Sequence, residues 1–414
     1  MGKRIALLHY SAPPVVGGVE SVLAEHAELL AQAGHAVRVL AGRGQAWRPG
    51  IAFESLPLAD SRHPDIVSAK AELDAGRVPS GFEALSDGLA EALLGAAGGC
   101  DLLMAHNVCS LNKNLPLTAA LHRLNGRPGF PRLVLWHHDL AWTTPRFAAE
   151  LHPGYPWDLL RSAWPGATQV VVSEERRREL AALLQAPPES IRVVPNGVDV
   201  PSFLKLEPQT ESLARELGLF AAAPLLLLPV RITPRKNIEL ALHTLAALRA
   251  QCAPTGADAR LVVTGPLGPH SAGNAEYFVG LRALRSSLGL DGSAHFLAEH
   301  SQGYLPAAVV ADFFRLADAL FLPSREEGFG IPLLEAAFSR RPVFCADIPA
   351  LRELGQAEAV YFSPDADPAQ IAALVAGRLF ADRVYRFAVR ARSGFSWEQI
   401  YTAHLEPLLR EAGA

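Results

Sequence analysis

The stretch from Ala319 to Ala336, ALFLPSREEGFGIPLLEA, constrains the fold more than any other part of the chain. Ala319-Leu320-Phe321-Leu322 is a short apolar run of the kind a buried strand makes. Pro332 suits the first turn of a helix, where its missing N–H leaves no bond unmade. Between them lie Gly328 and Gly330 with the charges of Arg325, Glu326 and Glu327, so the order is strand, Gly-rich loop, helix. In a doubly wound α/β sheet such a loop opens at the carboxyl ends of the strands, where ligands bind. Its backbone N–H groups and the positive end of the helix dipole suit a phosphate. Glu327 on the loop and Glu335 in the helix, with seven residues between them, add two carboxylates to that anion-attracting edge. A ligand both anionic and rich in neutral hydroxyls reconciles the two, and a sugar nucleotide meets that description.

At 414 residues the chain exceeds the size at which one core keeps growing, which predicts two domains. Half of the residues are hydrophobic and 19% are charged, enough apolar material for large buried sheets. A net charge of −4 gives no basic footprint for nucleic acid. Cys100, Cys109, Cys252 and Cys345 are scattered without metal or redox spacing, which points to a reducing, cytoplasmic setting. Met1-Gly2-Lys3-Arg4 runs directly into a strand-like segment too short for a signal-peptide core. No apolar stretch approaches the roughly 20 residues of a membrane span, so a soluble protein is expected. The first long helix carries Glu20, Glu25 and Glu28 and lacks the basic face that anionic lipid attracts.

Arg4 to Tyr10 reads as a buried strand, Ser11 to Gly18 as its loop, Val19 to Ala33 as an amphipathic helix stopped by Gly34, and Ala36 to Ala41 as a second strand. This βαβ unit lacks the full G-x-G-x-x-G fingerprint, so Gly17-Gly18 reads equally well as a phosphate loop and as a tight turn. Residues 42 to 100 are less regular, with a strand-like run at Ile51 to Leu56 and a helix near Phe82 to Ala97. After the strand Asp101 to His106 comes a polar loop holding Asn107, Ser110, Asn112, Lys113 and Asn114. That is either plain turn chemistry or, given its place at a strand's carboxyl end, an acceptor-binding loop. Arg132 to Trp136 leads into His137-His138-Asp139. Three adjacent ligand-type residues make a poor metal site, because neighbours on a strand point to opposite faces. One histidine facing the cleft is the better reading, with an ordinary core or surface histidine as the alternative.

The basic run Arg176-Arg177-Arg178 is flanked by Glu174, Glu175 and Glu179 and reads as a solvated helix face. Trp142, Trp157 and Trp164 suit either sugar stacking or core. Asn196 to about Gly218 is weakly patterned and reads as an interdomain linker. A second α/β series follows, with a strand at Leu225 to Val230 and another at Ala259 to Thr264 that ends in Gly265. Arg231 and Lys236, five residues apart on one strand-end loop, can neutralise a diphosphate, although a surface loop with ordinary basic residues fits too.

Taken together, Gly17-Gly18-Val19-Glu20, His138-Asp139, Val172-Ser173-Glu174, Val194 to Asp199, Arg231 with Lys236-Asn237, and the Glu327 to Glu335 stretch resemble the retaining glycosyltransferases of family 4, which have the GT-B fold. The resemblance spans nearly the whole chain. It implies two Rossmann-like α/β domains facing a cleft: an acceptor domain over residues 1–200, a nucleotide-sugar domain over 201–390, and a C-terminal helix over 391–414 that crosses back to the first. By the same resemblance Glu335 would bind ribose, and Arg231 with Lys236 would hold the diphosphate and stabilise its departure. Gly17 and Gly18 would cap that diphosphate, and Gly265 joins the nucleotide-binding candidates. Glu327 and the backbone of Gly328, Phe329 and Gly330 would contact the donor sugar, and His138 would bond a sugar hydroxyl near the reacting carbon. The implied partners are a nucleotide sugar and a polar acceptor, with no metal or other cofactor. Asn107, Asn112 and Lys113 are the acceptor candidates. A GT-B phosphorylase or epimerase and a non-catalytic sugar-nucleotide-binding subunit are the competing readings. His137 beside His138 leaves the register of the catalytic histidine open.

Overall fold

Among the described residues thirteen short runs, most of them apolar, become strands of two wholly parallel sheets, and helices cover both faces of each. The computed structural model describes residues 2–268, 273–300 and 303–412. Of the terminal stretch 391–414, residues 413 and 414 lie outside that description, as does Met1. The chain divides into two compact units, one of residues 1–197 with 397–414 and one of residues 198–396.

In the first unit the strands are β1 (Arg4–Ser11), β2 (Ala36–Arg43), β3 (Ile51–Ser55), β4 (Leu102–His106), β5 (Arg132–His137), β6 (Thr168–Val171) and β7 (Ile191–Val193). They lie in the order β3-β2-β1-β4-β5-β6-β7. Ile5 pairs with Val37 on one side and Leu102 on the other. Ile5, Ala6, Leu7 and Leu8 are all fully buried. That explains why β1 reads as a continuous apolar run: a parallel strand covered on both faces has no polar side.

One face of this sheet packs against the helices Phe82–Ala96 and Leu115–Leu124. The other packs against Gly18–Gln32 and the C-terminal segment, where Trp397, Ile400, Leu405 and Leu408 join Val22, Leu23 and Trp136. Residues 397–412 therefore belong to the first unit's core, although nearly 200 residues of the second unit precede them. Gly197 has no side chain where the Trp397 ring packs; a Cβ there would lie 2.6 Å from ring carbons.

The second unit holds β8 (Leu225–Leu228), β9 (Arg260–Val263), β10 (Ala294–Phe296), β11 (Ala319–Leu322), β12 (Val343–Ala346) and β13 (Val360–Phe362), in the order β10-β9-β8-β11-β12-β13. All four leucines of β8 and all four residues of β11 are buried.

Two sequence readings need correction. The stretch to Gly218 is not a linker: after the short helix Val200–Leu204, the helix Pro208–Glu216 sends Leu213 and Ala214 into the second unit's core. Buried Asp312 fixes it by accepting from Glu207 N and Thr210 Oγ1, each at 2.7 Å. The pattern was faint because a nine-residue helix offers only one apolar turn. Residues 42–100 are also more regular than expected, with a helix over Pro64–Asp74 whose N-terminus His63 caps through its ring nitrogen. The triple-arginine helix is a solvated face, with Arg176, Arg177 and Arg178 each paired to a glutamate three residues away. Trp157 and Trp164 fill the first unit's core, and Trp142 stacks under Arg161 at 4.0 Å.

Candidate active site

A doubly wound sheet opens a crevice where its strand order reverses, at the carboxyl ends of the two strands that flank the reversal. In the first unit those strands are β1 and β4, in the second β8 and β11. Most of the candidate residues sit at one or the other.

At the first reversal, the loop after β1 leads into the helix Gly18–Gln32, with Gly17 as its N-cap in extended conformation. The Glu20 carboxylate folds back over this helix start and accepts from Ser11 Oγ at 2.6 Å. Burial raises the Glu20 carboxyl's affinity for a proton, but Ser11, its own backbone N–H, His9 and Lys113 together hold its pKa below the usual value. Gly17 accommodates this arrangement, since a Cβ would stand 2.2 Å from the Glu20 carboxylate.

Histidines line the same crevice. His9 Nδ1 bonds the His106 carbonyl at 2.7 Å, so Nδ1 carries the proton and Nε2 faces Glu20 Oε1 at 3.9 Å. Burial drives His9 down to about 4, which keeps it neutral. His106, ending β4, is fully buried, stacks on Trp136 and places Nδ1 at 3.4 Å from His138 Nε2.

The two adjacent histidines separate cleanly. His137 is the last residue of β5 and is buried, with Nε2 bonded to Gln169 at 2.7 Å. His138 lies one residue beyond the strand and is half-buried; burial lowers it to about 4, with His9 adding to the drop and Asp139 opposing it. Both are neutral imidazoles at neutral pH, and His138 is the one not tied into the sheet.

The polar loop after β4 consumes most of its own amides. Asn107 adopts a left-handed backbone (φ 60°) that asparagine tolerates. Its Oδ1 accepts from the backbone N–H of His138 and of Asp139, each at 3.0 Å, and its Nδ2 donates to Asp139 at 3.2 Å. Asn114 caps the helix Leu115–Leu124 and donates to the Leu58 carbonyl. Asn112 is buried and donates to Glu150 at 2.7 Å, with its Oδ1 unpartnered among the described residues. Lys113 alone of the acceptor candidates is exposed, its ammonium 5.9 Å from the Tyr10 ring centre.

At the second reversal, the loop after β8 carries Arg231 and Lys236 and the loop after β11 carries Glu327. Lys236 Nζ and Glu327 Oε1 meet at 2.6 Å with both side chains 9% exposed. Burial pulls the Lys236 ammonium below its usual pKa; Glu327 opposes that, while Arg235 and Arg231 reinforce it. Asn237, again left-handed (φ 53°), ties the loops together by donating to the carbonyls of Pro323 and Pro364. Arg325 N also bonds the Arg235 carbonyl at 2.9 Å. Arg231 is exposed, its guanidinium 5.6 Å from the Tyr304 ring.

Gly330 is the N-cap of the helix Ile331–Phe338 at φ 100°, a conformation that favours glycine, and Gly328 has open space where a side chain would be. Phe329 is exposed. Glu335 projects from the middle of that helix and is exposed; partial desolvation raises its carboxyl. Gly265 follows β9 and packs against the Val230 carbonyl, which a Cβ would meet at 2.0 Å, so its lack of a side chain shapes the β8 loop. Among the described residues no three histidine, cysteine, aspartate or glutamate side chains are grouped as a metal site needs.

His9, Ser11 and His106 had no site role in the sequence reading, and Glu20 entered it only as part of the Gly17 to Glu20 motif and as an acid on the first long helix. The signal was present: His9 and His106 are polar residues at the ends of otherwise apolar strands.

Comparison with known proteins matches residues 16–201 to the model described as Glycosyltransferase Family 4 and residues 209–380 to that of Glycosyl transferases group 1. The chain belongs to glycosyltransferase family 4. It is 33% identical over 263 residues to a D-inositol 3-phosphate glycosyltransferase of Kineococcus radiotolerans, covering 58% of each chain. A protein of the same name from Saccharomonospora viridis is 28% identical over 371 residues, covering 84% of this chain and 79% of that one. The family 4 chain spans little more than half the length of several curated relatives it matches. Among solved structures, sucrose-phosphate synthase from Thermosynechococcus elongatus shares 20% identity over 99% of this chain and 98% of that one, with a TM-score of 0.37. The two parallel doubly wound sheets are those of the GT-B fold. No helix among the described residues is long and apolar enough to cross a membrane.

Proposed function

We propose that this family 4 chain transfers a hexose from a UDP-, GDP- or ADP-sugar to a polar acceptor hydroxyl, with retention of configuration and without a metal ion. The observation that carries the reading is the buried Lys236–Glu327 pair at the second unit's strand reversal, with Arg231 on the same loop. Breaking a glycosyl phosphate bond sends its electron pair to the diphosphate and leaves the sugar oxocarbenium-like. Cations held in place before the reaction stabilise that departing charge without reorganising. Arg231 and Lys236 take this role, Glu335 the ribose hydroxyls, Glu327 and the Gly328 to Gly330 backbone the sugar, and His138 a hydroxyl near the reacting carbon.

For retention, the acceptor oxygen bonds to the anomeric carbon on the face the diphosphate leaves, and its proton passes to a leaving phosphate oxygen. The acceptor is assigned a negative charge, because Lys113 is the exposed cation among the acceptor candidates of the polar loop. Relatives named D-inositol 3-phosphate glycosyltransferase agree with a phosphorylated polyol.

A thermal-shift panel of UDP, GDP and ADP and their sugars, with and without Mg²⁺, tests the reading. A ligand bound only by the folded state raises the melting temperature by mass action. One nucleotide should raise it without metal, and Glu335→Ala should lose that shift. Product from that donor and an anionic polyol should keep the donor's anomeric configuration, and Lys113→Ala should raise the acceptor KM. No nucleotide shift, or a shift with no transfer to any acceptor, would replace this reading with a phosphorylase, an epimerase or a silent binder.

A further inference from the structure

The helix Arg383–Gly394 is the part of the chain whose surface chemistry no candidate function uses. Residues 368–394 contain five arginines, at 378, 383, 386, 390 and 392, against one acid, Asp382, in a chain of net charge −4. Asp382 is committed to the helix N-terminus, accepting from Val384 N at 2.7 Å and Tyr385 N at 3.4 Å. Arg392 is committed inward, its guanidinium on Asp318 at 2.9 Å and on the Ala222 carbonyl at 2.6 Å. With Tyr385 buried beside it, that pair fixes the helix on the second unit and defines which face is outward.

The outward face has two stripes. At 100° per residue, Arg386, Arg390 and Arg383 share one arc of about 60°, and Phe387, Ala391 and Val384 the adjoining arc of about 60°. Val384 is 77% exposed and Phe387 64%. Arg383, Arg386, Phe387 and Arg390 line one shallow groove. None of these three guanidiniums has an ion pair or hydrogen bond among the described residues, and Arg390 rests 5.2 Å from the Phe387 ring.

We propose that this face docks on an anionic lipid bilayer. Three unpaired arginines match a layer of negative headgroups, and an aromatic and a branched side chain directly beside them fit the boundary between headgroups and acyl chains. A nucleic acid would use the arginines but leave Phe387 and Val384 in water, and the acidic chain offers it no wider basic footprint. A second copy docked through the same face would bring arginines together without a carboxylate to pair them.

The test is flotation of the full chain with phosphatidylcholine vesicles, pure or containing phosphatidylglycerol. The chain should float with the anionic vesicles and not the neutral ones, and raised salt should release it. Each arginine near such a surface contributes roughly fivefold in partitioning, so Arg383→Glu/Arg386→Glu/Arg390→Glu should weaken it well over tenfold. Phe387→Ser should weaken it severalfold, and Arg127→Glu, an exposed arginine elsewhere, should change it little. Circular dichroism melting establishes that each variant is folded. Equal flotation with both vesicles, an unchanged triple variant, or arginine-dependent binding to a DNA duplex without vesicle binding would each overturn the proposal.

Discussion

Lys236 and Glu327 form a 2.6 Å ion pair between the loops that follow β8 and β11, the two strands flanking the second sheet's reversal. With both side chains 9% exposed, neither charge is well solvated, and each depends on the other. Glu327→Gln removes the partner that keeps Lys236 protonated against burial and the nearby arginines, so the lysine's pKa falls further. If Lys236 serves the departing diphosphate as a cation, the alkaline limb of the kcat/KM profile moves to lower pH in this variant. Lys236→Met should lower kcat/KM by about 10²–10³ across the range. An alkaline limb that does not move in Glu327→Gln would remove Lys236 from the chemistry.

Asn107→Ala separates an acceptor role from a positioning one. The substitution leaves the N–H groups of His138 and Asp139 without their acceptor and places a residue with a Cβ and no polar group at φ 60°. Together these cost on the order of 3 kcal/mol. Displacing His138 by about an ångström lowers kcat roughly 100-fold, with little change in the acceptor KM. A raised acceptor KM at unchanged kcat would instead make Asn107 an acceptor contact.

His26 lies fully buried with its ring 4.7 Å from that of Trp136 and 5.4 Å from that of Trp397, and neither ring nitrogen has a hydrogen-bond partner among the described residues. Burial pushes it down to about 3, against about 6.5 in an unfolded chain. Between those values the unfolded chain binds a proton the folded one refuses. The stability is therefore fully present above about pH 6.5 and is lost as pH falls, at up to about 1.4 kcal/mol per unit. His26→Leu should be close to the parent at pH 7.5 and about 2 kcal/mol less acid-sensitive at pH 5, with His9, His106, His137 and His138 contributing to the remaining slope. Urea unfolding followed by tryptophan fluorescence reads this unit selectively, because all six tryptophans lie in it. An unchanged acid slope in His26→Leu would contradict the argument.

Gly197→Ala places a methyl group 2.6 Å from the Trp397 ring carbons. Trp397 opens the C-terminal segment packed on the first sheet, so the ring has to shift and carry the segment with it. The expected loss is about 1–3 kcal/mol in the tryptophan-reported transition, with faster hydrogen exchange over residues 397–412. Unchanged exchange there would mean that the ring moves without the segment.

What the sequence determined by itself was local. Runs such as Leu225–Leu228 and Ala319–Leu322 have the pattern of buried strands, and Gly328, Gly330 and Pro332 mark the loop-to-helix start between Glu327 and Glu335, because backbone sterics and burial act over a few residues. What the tertiary structure decided was which distant residues share a crevice. Strand order, invisible in any single strand, brings His9 beside His106 across 97 positions and Lys236 onto Glu327 across 91. It also placed His137 in the sheet, bonded to Gln169, and His138 one residue past the strand's end. The short helix Pro208–Glu216 packs Leu213 and Ala214 into the second unit's core, and Asp312, about a hundred residues later, accepts the bonds at its start.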